Sequence, residues 1–129
     1  MKRALILWIG LLPLLTFGQT YIKHTLQKDK LSIQLSEGTL NIVPLSAKAI
    51  RIQWIKDIPA EKQEFVFINK LEAPSFKVTE TTAKLKLSTS VITVSFNKQN
   101  GVIDYSDSNG KVFLSEKVNG RKLTTNAIM

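Results

Sequence analysis

The sequence predicts an all-β chain folded as an antiparallel β-sandwich, and three observations carry that reading. No window sustains an apolar period of 3.6 residues, so there is no amphipathic helix to place. Apolar residues instead alternate with polar ones over short runs, the signature of a strand with one buried face. Turn signals built from Gly, Asn, Asp and Ser recur about every ten residues, a spacing that suits a sandwich or barrel. With 129 residues, 43% of them apolar, the chain has the length and composition for one domain of ordinary size.

Residues 1–18 are the exception to the β pattern. Lys2 and Arg3 form a positive head, Ala4 to Leu15 is an apolar run interrupted by Gly10 and Pro13, and Thr16-Phe17-Gly18 places small residues where an export signal is cleaved. The run is too short, and broken by proline, to cross the roughly 30 Å hydrocarbon core as an anchor. A signal peptide cut before Gln19 is therefore expected, with residues 19–129 as the β domain in the periplasm or outside the cell and no membrane association after cleavage.

Within residues 19–129 the strands follow from the alternation. Ile22, His24 and Leu26, then Leu31, Ile33 and Leu35, predict a first strand region broken or bulged near Lys28-Asp29-Lys30. Ser36-Glu37-Gly38 is a turn, and Leu40 and Ile42 share a face until Pro44, which cannot donate to a ladder and so marks an edge or a strand end. Lys48 to Lys56 places Ile50, Ile52 and Trp54 on one face and Ala49, Arg51, Gln53 and Ile55 on the other, the clearest half-buried strand in the chain. Asp57 to Glu61 reads as a connection. Glu64 to Ile68, with Phe65 and Phe67 alternating with Val66 and Ile68, is apolar on both faces and predicts a strand covered on both sides.

Phe76 and Val78 open another short strand, Ala83 to Leu87 turns Leu85 and Leu87 inward, and Val91 to Phe96 turns Ile92, Val94 and Phe96 inward, so these three form a meander. Asn97 to Gly101 supplies a hairpin loop, because Asn-Gly accepts the positive φ of a tight turn. Val102 to Tyr105, the turn Asp107-Ser108-Asn109-Gly110, and Val112 to Leu114 make a further hairpin. Asn119-Gly120 is one more turn, and Leu123 to Met129 starts a strand that it does not finish. About nine short strands are expected in all, in an incomplete sandwich.

Composition excludes several chemistries. There is no cysteine, hence no disulfide scaffold, thiol nucleophile or cysteine-held metal, and the single histidine, His24, rules out a multi-histidine metal site. No cofactor or metal is expected. The formal charge is +8, of which Lys2 and Arg3 contribute two, but the remaining lysines are scattered with acidic residues close by rather than gathered in a stripe that tracks phosphates. Nucleic acid is not an expected partner; lysine on a β surface discourages edge-to-edge aggregation.

The residues that tempt a catalytic reading have structural explanations at hand. Asp104 and Asp107 are close enough to suggest paired carboxylates for glycosidic acid-base chemistry. Asp107, however, opens an Asp-x-Asn-Gly turn whose side chain is expected to bond the backbone, and Asp104 lies on a hairpin strand. The same turn lacks the oxygen ligands of a calcium loop. His24 has no nucleophile motif near it, Ser88-Thr89-Ser90 lacks a strained glycine elbow, and Trp54, though an indole face suits a pyranose, falls in register with Ile50 and Ile52 and reads as core. No catalytic, cofactor-binding or metal-binding residue is assigned.

The order of segments says more than any one residue. An export signal precedes Gly38-Thr39-Leu40-Asn41-Ile42, then Ile50-Arg51-Ile52, then Val91 to Gly101 and the hairpin Ile103-Asp104-Tyr105-Ser106-Asp107-Ser108-Asn109-Gly110-Lys111-Val112-Phe113-Leu114-Ser115-Glu116. This succession resembles the start of a family 31 glycoside hydrolase of the secreted bacterial α-glucosidase or α-xylosidase kind, across roughly residues 20–118. The resemblance implies a galactose-mutarotase-like N-terminal β-sandwich without catalytic residues. It also implies a longer parent enzyme that acts on α-linked glucosides or xylosides with aspartates in a downstream β/α barrel, within a W-x-D-M-N-E type segment. Nothing in this chain matches that segment. The partners implied are the barrel domain and, through the whole enzyme, carbohydrate. From another class, a stand-alone secreted β-sandwich that binds carbohydrate or another surface partner is the competing expectation.

Overall fold

The alternation read from the sequence is realised as nine strands and two sheets in a computed structural model that describes residues 19–56 and 72–121. The strands are β1 (Tyr21–Leu26), β2 (Leu31–Leu35), β3 (Gly38–Ser46), β4 (Ala49–Ile55), β5 (Lys77–Glu80), β6 (Lys84–Ser88), β7 (Ile92–Asn97), β8 (Ile103–Asp107) and β9 (Val112–Ser115). The leader, the strand expected over 64–68 and the segment from Leu123 lie outside the described residues. β1 to β4 form one sheet and β5 to β9 the other, each an antiparallel meander in sequence order. The chain is an antiparallel β-sandwich.

The core lies between the sheets and is drawn equally from both. Leu31, Ile33, Leu35, Leu40 and Ile42 from the four-stranded sheet meet Leu85, Leu87, Val94, Phe96 and Ile103 from the five-stranded one. Each is an inward position of a period-2 strand, and burying each such side chain contributes about 1.5–3 kcal/mol. Ile50, Ile52 and Trp54 pack against this cluster from β4, as the alternation of that strand predicts.

Two expectations are corrected. The stretch from Tyr21 to Leu35 is two strands joined as an antiparallel hairpin, with Leu26 opposite Leu31 and His24 opposite Ile33, rather than one strand broken at Lys28–Lys30. Lys28, Asp29 and Lys30 are the hairpin loop, where Gln27 N–H donates to the Lys30 carbonyl at 2.8 Å. Pro44 is not a strand end: it is buried within β3, which runs on to Ser46. β2 pairs with β3 only as far as Ile42, so the β2 side asks no ladder bond of Pro44, and the register slips by one residue just beyond it.

The turns hold the register. Gly38 has φ +86°, and a Cβ there would sit 2.8 Å from the Lys56 Cα, so only glycine fits where β3 leaves its turn beside the end of β4. Gly101 takes φ +71° in the Asn-Gly loop, with its N–H donating to the Asn97 carbonyl at 2.8 Å. At the opposite end, the Thr89 hydroxyl donates to the Ala47 carbonyl at 2.7 Å and ties the β6–β7 turn to the β3–β4 turn across the sandwich.

Candidate functional site

Two polar clusters lie at one end of the sandwich, and both join segments far apart in sequence. The first gathers on β1, β5 and the β7–β8 loop. His24 Nδ1 and the Tyr21 hydroxyl are hydrogen-bonded at 2.8 Å, which β1 permits because a bulge between Tyr21 and Lys23 turns the two side chains toward each other. His24 Nε2 lies 3.7 Å from Glu80 Oε2, Lys98 Nζ donates to Glu80 Oε1 at 2.5 Å, and the same ammonium stands 5.1 Å from the centre of the Tyr21 ring. The bond from Lys98 holds the Glu80 carboxyl below its ordinary 4.5, partial desolvation opposes this, and attraction to Lys98 and His24 adds to it. Histidine, carboxylate and ammonium here satisfy one another. The arrangement ties β1 to β5.

The second cluster is organised by Arg121. Its Nε donates to Glu116 Oε2 at 3.0 Å, a terminal nitrogen donates to the Gly101 carbonyl, and its guanidinium carbon lies 5.9 Å from the Trp54 ring centre. The Glu116 oxygen that it holds also accepts the Ile103 N–H at 3.1 Å, so one carboxylate caps the start of β8 and anchors the arginine. Among the described residues the other terminal nitrogen, Nη1, is buried without a hydrogen-bond partner. Trp54 Nε1 donates to the Glu37 carbonyl at 2.6 Å. The indole is thus half-buried core with its polar edge engaged and its ring shared with a cation. Burial, assisted by the Glu116 carboxylate and opposed by Arg121, raises the Tyr105 phenol above its ordinary 10.0.

The residues singled out from the sequence fall into structural roles. Asp107 Oδ1 accepts the N–H groups of Asn109 and Lys111, each at 2.9 Å, as the Asp-x-Asn-Gly turn requires. Asp104 accepts the Ser115 hydroxyl at 2.7 Å across β8 and β9. The Ser88 hydroxyl is bonded to that of Thr93 at 2.9 Å, and Thr89 accepts the N–H groups of Val91 and Ile92 within its own turn. Among the described residues no three His, Cys, Asp or Glu side chains come together as a metal site. Arg121, Glu116, Tyr21, Glu80 and Lys98 escaped sequence reading. Their partners lie up to 102 residues away, as in the contact of Gln19 Nε2 with the Arg121 carbonyl at 3.5 Å, and no local spacing signals such contacts.

No protein-family profile matches the chain, and no curated protein matches it. Among solved structures, the fold is similar to part of a GH31 α-xylosidase from a soil metagenome, determined in complex with xylose. The superposition has a TM-score of 0.64 at 20% identity and covers 81% of this chain but 16% of that one. The two-sheet sandwich therefore shares the fold of that part of the enzyme, and the chain spans about one sixth of its length.

Proposed function

We propose that the chain is the leading part of the N-terminal, galactose-mutarotase-like β-sandwich of a secreted family 31 glycoside hydrolase acting on α-linked glucosides or xylosides. In this reading residues 1–18 are its signal peptide, the protein works in the periplasm or outside the cell, and the sandwich packs on a barrel domain and helps wall its sugar pocket. The observation that supports it is the overlay of most of this chain on a small part of a much longer α-xylosidase. Catalysis belongs to the barrel, where two carboxylates would act through a glycosyl-enzyme intermediate with retention of configuration. The sandwich contributes support: Asp107 is held by its turn, and Glu80 and Glu116 are held by ion pairs.

The decisive test is to sequence the gene beyond the Met129 codon and to weigh the native product. A frame that runs on into a barrel with a W-x-D-M-N-E type segment is the expected result, and the purified 129-residue chain should then leave aryl α-glucosides and α-xylosides intact. A stop codon there, with a product mass to match, overturns it in favour of a stand-alone carbohydrate-binding or interaction module. One observation favours that second reading: ten fully buried side chains shared by two sheets are enough to nucleate a cooperative core.

A further inference from the structure

The outer face of the five-stranded sheet carries a feature that neither polar cluster uses. Register places Lys86 opposite Ser95 and Ser95 opposite Asp104 in one row, and Ser88 opposite Thr93 and Thr93 opposite Ser106 in the next. These side chains point away from the core because Leu85, Leu87, Val94 and Ile103 point into it. They floor a shallow depression of about 400 Å³ on β6, β7 and β8. Ser95 and Ser106 are recessed in it, only 8% and 9% exposed, yet neither hydroxyl has a hydrogen-bond partner among the described residues. Neither is sealed from solvent, so each oxygen is open to bond whatever enters the depression.

We propose that this face is a binding site for a neutral, hydroxyl-rich ligand, a segment of glycan. Charge on the lining selects neutrality: Lys84 and Lys86 are balanced by Asp104 and Asp107. The chemistry selects hydroxyls. Lys86 donates, the Asp104 oxygen not engaged by Ser115 accepts, and Ser95 between them does either, a set that matches adjacent hydroxyls of a sugar ring. Lys86 and Asp104 stand two strands apart, about 10 Å, the length of two linked pyranose rings. With no aromatic platform in the floor, affinity rests on hydrogen bonds and is weak, as suits a surface that holds a polymer rather than a pocket that processes it. The site deepens the carbohydrate reading above and rests on it for the choice of sugar.

The test is a titration of the ¹⁵N-labelled full chain with maltotetraose and with the disaccharide α-xylosyl-1,6-glucose, followed by amide shifts. Saturable shifts centred on Lys86, Ser95, Asp104 and Ser106 are expected, with Ser95→Val weakening binding about tenfold. Lys86→Met, at an exposed position, gives a second measurement should Ser95→Val disturb folding, and a similar loss is expected. Shifts that map elsewhere, around Trp54 for instance, with both variants neutral, overturn this site while leaving the carbohydrate reading in place. Absence of shifts with either sugar at tens of millimolar overturns the site as well, and the gene sequence beyond Met129 then decides the hydrolase reading independently. Sulfate binding at the same residues, weakening as salt rises, overturns the neutral class.

Discussion

The two edges of the five-stranded sheet are both four residues long, and they are finished in opposite ways. β5 carries Lys77 and Glu80, and Glu80 is tied by Lys98 and His24 into a bridge toward β1. β9 has no charged residue and exposes Val112, Phe113 and Leu114 at 51%, 59% and 56%. Charge on an edge strand discourages a further strand, whereas an apolar edge with free N–H and C=O groups invites one. Among the described residues β5 is thus a border guarded by charge, and β9 is one that presents apolar side chains. The β8–β9 register also slips between Tyr105 and Ser106, so the apolar edge is already less regular than its neighbours.

The largest perturbation removes what both edges stand on. Phe96 sits fully buried among residues of both sheets, and Phe96→Ala is expected to cost about 3–5 kcal/mol in denaturant unfolding. Loss of β5 and β9 signals in a single transition would confirm a shared core, and two separate transitions would show that the edges are independently supported. Next comes the anchor behind β9. Arg121→Met leaves Glu116 with only the Ile103 N–H and takes the guanidinium from the Gly101 carbonyl, and about 1–3 kcal/mol of stability should be lost by the same measurement.

A smaller effect on stability, but a direct one on the comparison, is expected from Phe113→Lys. Unfolding should shift by no more than about 0.5 kcal/mol, while self-association measured by sedimentation falls severalfold. Thr79→Lys on β5 should leave association unchanged, and equal effects of the two would erase the distinction between the edges. The smallest effect belongs to Glu80→Gln. Because the folded chain holds the Glu80 carboxyl below 4.5, its contribution is full above pH 4.5 and is lost as pH falls through the folded-state value. The variant should therefore be less stable than the parent at pH 6, with the gap closing on acidification; a gap independent of pH would remove Glu80 from the bridge.

Much of the fold was legible because strand faces are a local property. Leu85 and Leu87, or Ile92, Val94 and Phe96, announce an inward face by spacing alone, and Asp107 announces its turn by the residues that follow it. The Asp104 and Asp107 question was equally legible, since a turn carboxylate is committed to backbone N–H groups within four residues. The hairpin of β1 and β2 was not, because alternation gives each strand's face but not its partner. Pro44 divided the reading in the same way: it stands at a local edge, because the β2–β3 pairing stops at Leu31 and Ile42, but it is not a strand end, since β3 runs on to Ser46.

By itself, then, the sequence determined the class of the molecule: short period-2 strands and turns of fixed chemistry. The tertiary structure decided everything that depends on two distant segments meeting. It placed Glu80 between His24 and Lys98, brought Arg121 to Trp54 and Gly101, and lined up Lys86, Ser95 and Asp104 across three strands. The physical reason is that alternation repeats along the chain and can be read there, whereas hydrogen bonds, ion pairs and cross-strand rows form between residues whose proximity exists only once the sheets have paired and packed.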